Sequence, residues 1–289
     1  MPDSRELLDE GIRREMGGAL DDARRMYARA CDATDDPDIV AEAWRRLADV
    51  HRAQCRWDEA LDAARRSAVA AEAAGLRDRV AEAINAEASV HLSRSDFAMA
   101  TPLFERVLAL AEDDRLRGIA LQNLGAVAAQ SGDLSGAERR FADSYDAFRR
   151  AGYTRGEALA LNNQGRAALD RGDPLASADL LGQALALARA VQDTDLVALV
   201  SLNLAEALAE AGEAEHAEEL LSGSLGFFAT NGNEWRRVEC LRLLGDLLQR
   251  RGEGTTAVRC WQQGLDVARR IGARLEEQAL AQRLDGAGG

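Results

Sequence analysis

Small residues recur along the chain at regular intervals of 37 or 40 residues, each beginning an apolar stretch with helical periodicity. This first column contains Ala23, Ala60, Ala100, Ala137, Ser177, Ala217 and Ala257. Twelve positions earlier, every repeat has glycine or alanine: Gly11, Ala48, Ala88, Gly125, Gly165, Ala205 and Gly245. Two small residues at this spacing predict two helices per repeat whose axes approach closely.

Two further columns describe the helix hairpin. Four positions after the first column the residue is mostly large and apolar: Tyr27, Ala64, Phe104, Phe141, Leu181, Leu221 and Trp261. Five positions before it stands a turn residue, usually glycine: Gly18, Cys55, Ser95, Gly132, Gly172, Gly212 and Gly252. Glycine ends a helix in the left-handed conformation without strain, and the following Asp133 and Asp173 can cap the next helix.

We therefore predict an all-α fold organised as one array over residues 1–285. The predicted repeats are 5–37, 38–75, 78–115, 116–152, 155–192, 195–232 and 235–272. Residues 273–285 restart the first-helix pattern and are predicted to cap the last repeat, and 286–289 are predicted to form a flexible tail. Each hairpin leaves one apolar face, so neighbouring repeats must stack.

This pattern resembles the tetratricopeptide repeat. The clearest matches are the segments 121–125 and 161–165, with Gly132-Asp133 and Gly172-Asp173 ending their first helices. A period near 40 is similar to the long-repeat subclass that includes kinesin light chains and bacterial peptide-sensing regulators. The resemblance implies a right-handed superhelical solenoid whose first helices line a concave, ligand-binding groove.

The charge and composition exclude several functional classes. The net charge is -13, and all 36 basic residues are arginine. Without lysine there can be no lysine-containing phosphate loop and no Schiff-base lysine, and the acidic balance argues against nucleic-acid binding. The start of the chain lacks a secretory apolar segment, and no apolar run is long enough to span a membrane. The four cysteines show no paired spacing and are expected to be free thiols in a reducing cytoplasm. We expect a cytoplasmic, bacterial protein that contacts no membrane.

Carboxamide side chains recur at two adjacent positions of the predicted groove. Asn123, Asn163 and Asn203 share one position, and Asn85, Gln122 and Asn162 share the next. Asparagine within a helix is disfavoured by about 0.6 kcal/mol relative to alanine, so a row of it needs a reason. The family resemblance implies that such residues hold the backbone of an extended peptide, since a carboxamide both donates and accepts. The alternative is that they bond one another between neighbouring helices.

Arginines also project toward the predicted groove, namely Arg45, Arg46, Arg52, Arg166 and Arg242. A guanidinium suits a carboxylate or phosphate, which would select an acidic peptide or a chain terminus. The alternative is pairing within the chain, because Glu42, Asp49, Glu82, Glu206 and Asp246 share the same face.

Candidate chemistry beyond binding is sparse. His51 and His91 occupy one column in successive repeats and Cys55 lies one turn beyond His51, so a metal site formed by these three residues is one interpretation. That column is a packing position in the resembling family, so core histidines are the favoured interpretation. No catalytic arrangement and no cofactor motif occurs, and we expect no enzyme.

The function predicted from the sequence is a scaffold or adaptor that binds an extended peptide or protein segment in the groove. Two alternatives stay open: a peptide-sensing regulatory module without a DNA-binding domain, and a structural protein that self-assembles through its end repeats. The partner's identity does not follow from the sequence. The chain is expected to be a monomer or a homo-oligomer formed through the end repeats.

Overall fold

The computed structural model describes residues 3–287, and every regular element in that range is an α-helix. The helices are α1 Ser4–Met16, α2 Leu20–Asp32, α3 Pro37–Ala53, α4 Trp57–Ala73, α5 Arg77–Ser93, α6 Phe97–Leu110, α7 Asp114–Gln130, α8 Leu134–Arg150, α9 Thr154–Asp170, α10 Pro174–Ala190, α11 Thr194–Ala211, α12 Ala214–Thr230, α13 Glu234–Arg250, α14 Gly254–Ile271 and α15 Arg274–Ala287. The all-α repeat fold is therefore confirmed. No helix within the described residues is both long and apolar enough to cross a membrane.

Contacts divide the chain into two compact units, residues 1–156 and residues 157–289. In the first unit α1 packs on α2, α3 on α4, α5 on α6 and α7 on α8, and each later hairpin packs on the one before it. In the second unit α11 packs on α12 and α13 on α14, with α15 against α14. The single array over 1–285 and its repeat boundaries stay predictions. Gly286 and Ala287, assigned to a tail from the sequence, lie in α15, and residues 288–289 lie outside the described residues.

The small and large columns explain how each hairpin closes. A Cβ atom added to Gly125 would lie 2.5 Å from the ring of Phe141, so the ring of α8 rests directly on the backbone of α7. In the preceding hairpin Ala88 and Ala100 are completely buried together with Phe104. Small residues in these columns thus provide the space that the large residue four positions on fills.

The turns within the hairpins have the predicted left-handed backbone. All seven turn residues have positive φ, including the two that are not glycine, Cys55 and Ser95, both at 57°. Asp133 and Asp173 are confirmed as caps, because their Oδ1 atoms accept hydrogen bonds from the backbone N–H groups of Gly136 (2.8 Å) and Ala176 (3.1 Å).

Substitution of glycine for Ser95 is expected to stabilise the first unit. A residue with a side chain in the left-handed region costs about 1 kcal/mol or more, and glycine removes that cost. The expected result is a higher urea midpoint in circular dichroism. Ser222→Gly, at an exposed position inside α12 of the second unit, is the control for the substitution itself and should lower the stability of that unit by about 0.3–0.5 kcal/mol, because glycine is a poorer helix former than serine. A lower midpoint for Ser95→Gly would contradict the strain argument.

Candidate functional site

The predicted groove residues lie on the odd-numbered helices. In the first unit α3 carries Arg45 and Arg46, α5 carries Asn85, and α7 carries Gln122 and Asn123. In the second unit α9 carries Asn162, Asn163 and Arg166, α11 carries Asn203, and α13 carries Arg242. The two sets have different hydrogen-bonding states.

In the first unit, two of the predicted groove residues have a carboxamide oxygen that is buried without a partner. The atoms are Oδ1 of Asn85 and Oε1 of Gln122, which occupy the same register position in α5 and α7, two helices that pack together. A buried acceptor without a donor costs about 1–3 kcal/mol. Turning either carboxamide so that its oxygen meets a donor brought by a ligand would remove this cost, and the two positions lie in neighbouring repeats.

Asn85 also lines a cavity of about 240 Å³ formed by α3, α5 and the start of α7. Four arginines (Arg45, Arg46, Arg79 and Arg115) and four carboxylates (Glu42, Asp49, Glu82 and Asp113) face this cavity. The lining is therefore balanced in formal charge, and Asn85, whose oxygen is buried without a partner, is one of the lining residues.

Glu42 is the centre of the ionic network in this cavity. The carboxylate is only 7% exposed, and it accepts hydrogen bonds from Arg45 (2.6 Å), Arg46 (2.8 Å) and Arg79 (2.8 Å). Burial by itself raises the pKa of Glu42, but the bonds and charges of Arg45 and Arg46 outweigh it and hold the pKa below its ordinary value of 4.5. Glu42 is thus a buried anion maintained by three guanidinium groups.

Both arginines predicted for the first-unit groove are engaged within the chain. Arg45 also contacts Asp49 at 3.0 Å and Glu82 at 3.9 Å, and Arg46 contacts Glu15 at 3.4 Å. Burial lowers the pKa of Arg45, yet the surrounding carboxylates raise it more, so the guanidinium stays charged. Arg52 contacts Asp49 at 3.5 Å. These contacts are the ones expected from the alternative of pairing within the chain.

In the second unit, the asparagines bond one another. Nδ2 of Asn203 donates to Oδ1 of Asn162 at 2.7 Å, and Nδ2 of Asn162 donates to Oδ1 of Asn163 at 3.3 Å. Asn162 and Asn203 are each 5% exposed, so this bond satisfies buried groups on α9 and α11. For this pair, a link between neighbouring helices accounts for the asparagines without a ligand.

The second-unit arginines are also partnered. Arg166 pairs with Glu206 of α11 and lies 3.8 Å from Asp170. Arg242 contacts Glu276 of α15 at 3.1 Å and Asp246 at 3.9 Å.

The histidines and Cys55 make no metal-binding group in the described part of the chain. His91 Nδ1 lies 3.2 Å from Asp96 Oδ2, whereas His51 Nδ1 is buried without a partner. Burial, together with Arg56, lowers the pKa of His51, so its neutral form is favoured. Cys55 is exposed in its turn, and no set of three or more His, Cys, Asp or Glu residues within 3–287 could hold a metal ion.

Arg79 and Arg115 are cavity residues that the sequence did not single out. Arg79 bridges Asp38 (2.7 Å) and Glu82 (2.8 Å), and Arg115 lies with its guanidinium carbon 4.5 Å from the centre of the Tyr153 ring. Arg79 stands three residues before Glu82, a spacing at which two side chains on a helix are neighbours. That spacing could have indicated from the sequence that Arg79 belongs to this ionic network.

Part of the first unit matches a known repeat family. A family model described as "Tetratricopeptide repeat" matches residues 39–113. No curated protein matches the sequence. Among solved structures, the apo form of the quorum sensor NprR from B. thuringiensis is similar, with a TM-score of 0.73 at 12% identity over 91% of this chain and 75% of that one.

Two further structures show how widely the fold is shared. The Cut9–Hcn1 hetero-tetramer of the APC/C has a TM-score of 0.65 at 20% identity, covering 85% of this chain and 43% of that chain, so this chain spans less than half of that relative. A Rap protein complexed with Competence and Sporulation Factor has a TM-score of 0.60 at 12% identity over 99% of this chain and 98% of that one. At these identities the likeness concerns the fold.

Proposed function

We propose that this chain, a tetratricopeptide-repeat protein, binds an extended segment of a partner polypeptide across α5 and α7 of its first unit. The observation that carries the proposal is the pair of buried, unpartnered oxygens of Asn85 and Gln122. Backbone N–H groups of an extended chain are donors at regular intervals, so successive ones can meet acceptors on successive repeats.

The charge environment favours a segment that is not strongly charged. The arginines and carboxylates of the neighbouring cavity already neutralise one another, so a charged ligand would have to displace an existing partner. Carboxamide contacts to a peptide backbone do not depend on side-chain identity. The proposed partner is therefore recognised mainly through its main chain at this site.

The chain is proposed to act by binding and without catalysis. A regulatory role for that binding, as in a peptide-responsive sensor, is the second candidate, and the similarity in fold to the NprR quorum sensor supports it. A scaffold would keep its conformation on binding, whereas a sensor would change it, so small-angle scattering with and without bound peptide separates the two. A cytoplasmic location and self-association through the end repeats remain proposals, and size-exclusion chromatography with light scattering tests the latter.

Replacing both Asn85 and Gln122 with alanine is expected to weaken peptide binding about tenfold, since each lost acceptor is worth about 0.5–1.5 kcal/mol. A random peptide library is first selected on the immobilised wild-type protein. The affinity of the best peptide for wild type and variant is then measured by calorimetry.

Gln130→Ala is the matched control, because Gln130 is an exposed carboxamide at the end of the same helix α7. In the absence of peptide the double variant should unfold at an unchanged or higher urea concentration, since it loses unsatisfied buried atoms. Equal affinity of wild type and double variant for the selected peptide would refute main-chain recognition by these two residues.

A further inference from the structure

The second unit contains an apolar pocket, and none of the predicted groove residues lines it. It has a volume of about 490 Å³ and lies between the end of α10, the first half of α11 and α12. Its apolar wall includes Val197, Leu220 and Phe227, and the ring of Phe227 is held edge-to-face against buried Phe228 at 5.6 Å. A mostly apolar concavity of this size is typical of ligand sites.

The pocket exists because this repeat departs from the others at two positions. Sixteen residues before the small first-column residue, the other repeats have a large apolar residue: Leu7, Trp44, Ile84, Leu121, Leu161 and Leu241. In this repeat the position is Ser201. Six residues after the same column, the other repeats have a longer polar side chain: Arg29, Arg66, Arg106, Asp143, Gln183 and Gln263. Here the residue is Gly223.

These two positions face each other across a hairpin, as the second repeat demonstrates. There the guanidinium of Arg66 lies over the indole ring of Trp44, 4.8 Å from its centre. Ser201 and Gly223 both line the pocket, so it is the volume that these two larger side chains would occupy. A Cβ atom added to Gly223 would meet nothing within 4 Å, which agrees with an open wall at that point.

Three polar side chains of the pocket, those of Ser201, Arg189 and Glu219, have no hydrogen-bond or ion-pair partner among the described residues. Ser201 is 7% exposed, and its hydroxyl makes no hydrogen bond with the described residues, whereas neighbouring Ser224 donates to the Ala198 carbonyl oxygen at 3.2 Å. At the rim, Arg189 and Glu219 are exposed and form no ion pair within residues 3–287. The floor thus offers one hydroxyl, and the rim offers a free donor and a free acceptor.

We propose that this pocket receives a bulky apolar side chain, tryptophan, phenylalanine or leucine, from a partner polypeptide. The chain's own repeats define the size of the occupant, because they fill the equivalent volume with leucine, isoleucine or tryptophan. The two charged side chains at the rim favour a polypeptide as the source of this apolar side chain. Arg189 can donate to the peptide carbonyl on one side of it, and Glu219 can accept from the peptide N–H on the other side. The inference rests on the proposed function only in taking the partner to be a polypeptide.

The test uses N-acetyl-tryptophanamide, which presents an indole side chain between two peptide groups. Methyl resonances of Val197 and Leu220 are followed by NMR during titration with this probe, with N-acetyl-glycinamide and with free indole. We expect saturable shifts with N-acetyl-tryptophanamide, weaker binding of indole and no shift with N-acetyl-glycinamide. Absence of shifts with N-acetyl-tryptophanamide would overturn the proposal, and indole binding as tight as N-acetyl-tryptophanamide would overturn the polypeptide source.

Substitution of a lining residue by a larger one fills the pocket and can be compared with a matched control variant. Gly223→Gln restores the side chain found at this position in the fifth and seventh repeats and is expected to weaken probe binding about tenfold or more. Gly226→Gln makes the same change three residues on, where the glycine is also exposed and open but does not line the pocket, and should leave binding unchanged.

Ser201→Leu is a second filling variant and should abolish the shifts while circular dichroism remains that of a helical protein. If Gly223→Gln and Gly226→Gln bind the probe equally well, the pocket is not the site. None of these measurements involves Asn85 or Gln122, so a failure here is distinct from a failure of main-chain recognition on α5 and α7.

Discussion

Replacing Phe104 with alanine is expected to lower the free energy of unfolding of the first unit by about 3–5 kcal/mol. The ring is fully buried, and it packs against Ala88 of α5 and against Leu124 and Val127 of α7. Alanine would leave a cavity bounded by α5, α6 and α7 that rigid neighbouring helices cannot collapse to fill. Urea unfolding followed by circular dichroism measures the loss.

Met99→Ala in the same helix α6 is the control, because Met99 is half-exposed and its loss removes little buried surface. Repeat proteins can unfold in parts, so hydrogen exchange of α5–α7 amides should accompany the denaturant curve. We expect faster exchange in these helices for Phe104→Ala and wild-type exchange for Met99→Ala. Equal midpoints for the two variants would mean that the large column does not determine hairpin stability.

The helices and turns could be predicted because they depend on residues close together in the sequence. A left-handed turn needs glycine or a tolerant residue at one position, and a close helix pair needs small residues twelve apart. These rules act within one hairpin, so Gly125 and Phe141 are visible as partners from their spacing alone.

The hydrogen-bonding state of the candidate site could not be predicted, since it depends on the offset between helices of successive repeats. The sequence aligns Asn163 with Asn203, but the bond joins Asn162 to Asn203, which are 41 residues apart. Likewise Arg79 reaches Asp38 across 41 residues, whereas Arg166 reaches Glu206 across 40. A difference of a single residue in the offset between successive repeats decides which carboxamide has a partner. The spacing of residues in the sequence does not determine that offset.

The pocket could not be predicted from the sequence either, although both residues that open it can be seen there. That Ser201 departs from its column is visible in the sequence, and so is Gly223. Either change alone would leave the opposite side chain free to cover the gap. Only the contact between Arg66 and Trp44 shows that both positions border the same volume, so that two unremarkable small residues open one pocket.

Glu42→Gln is expected to destabilise the first unit by about 3–5 kcal/mol, the usual cost of removing one member of a buried ionic group. Glutamine keeps the shape but removes the negative charge that Arg45, Arg46 and Arg79 share. These guanidinium groups would then repel one another with one carboxylate fewer among them. Urea unfolding at pH 7 of wild type and variant measures the difference.

The pH dependence provides the more specific test. Because the folded-state pKa of Glu42 is lowered, its contribution to stability is complete above the ordinary value of 4.5 and is lost as the pH falls through the folded pKa. The stability difference between wild type and Glu42→Gln should therefore be constant near neutral pH and shrink below about 4.5. Glu59→Gln, which removes an exposed partner of Arg56, should leave the midpoint unchanged at neutral pH. A Glu42→Gln difference that persists unchanged into strong acid would show that the carboxylate charge is not what stabilises this network.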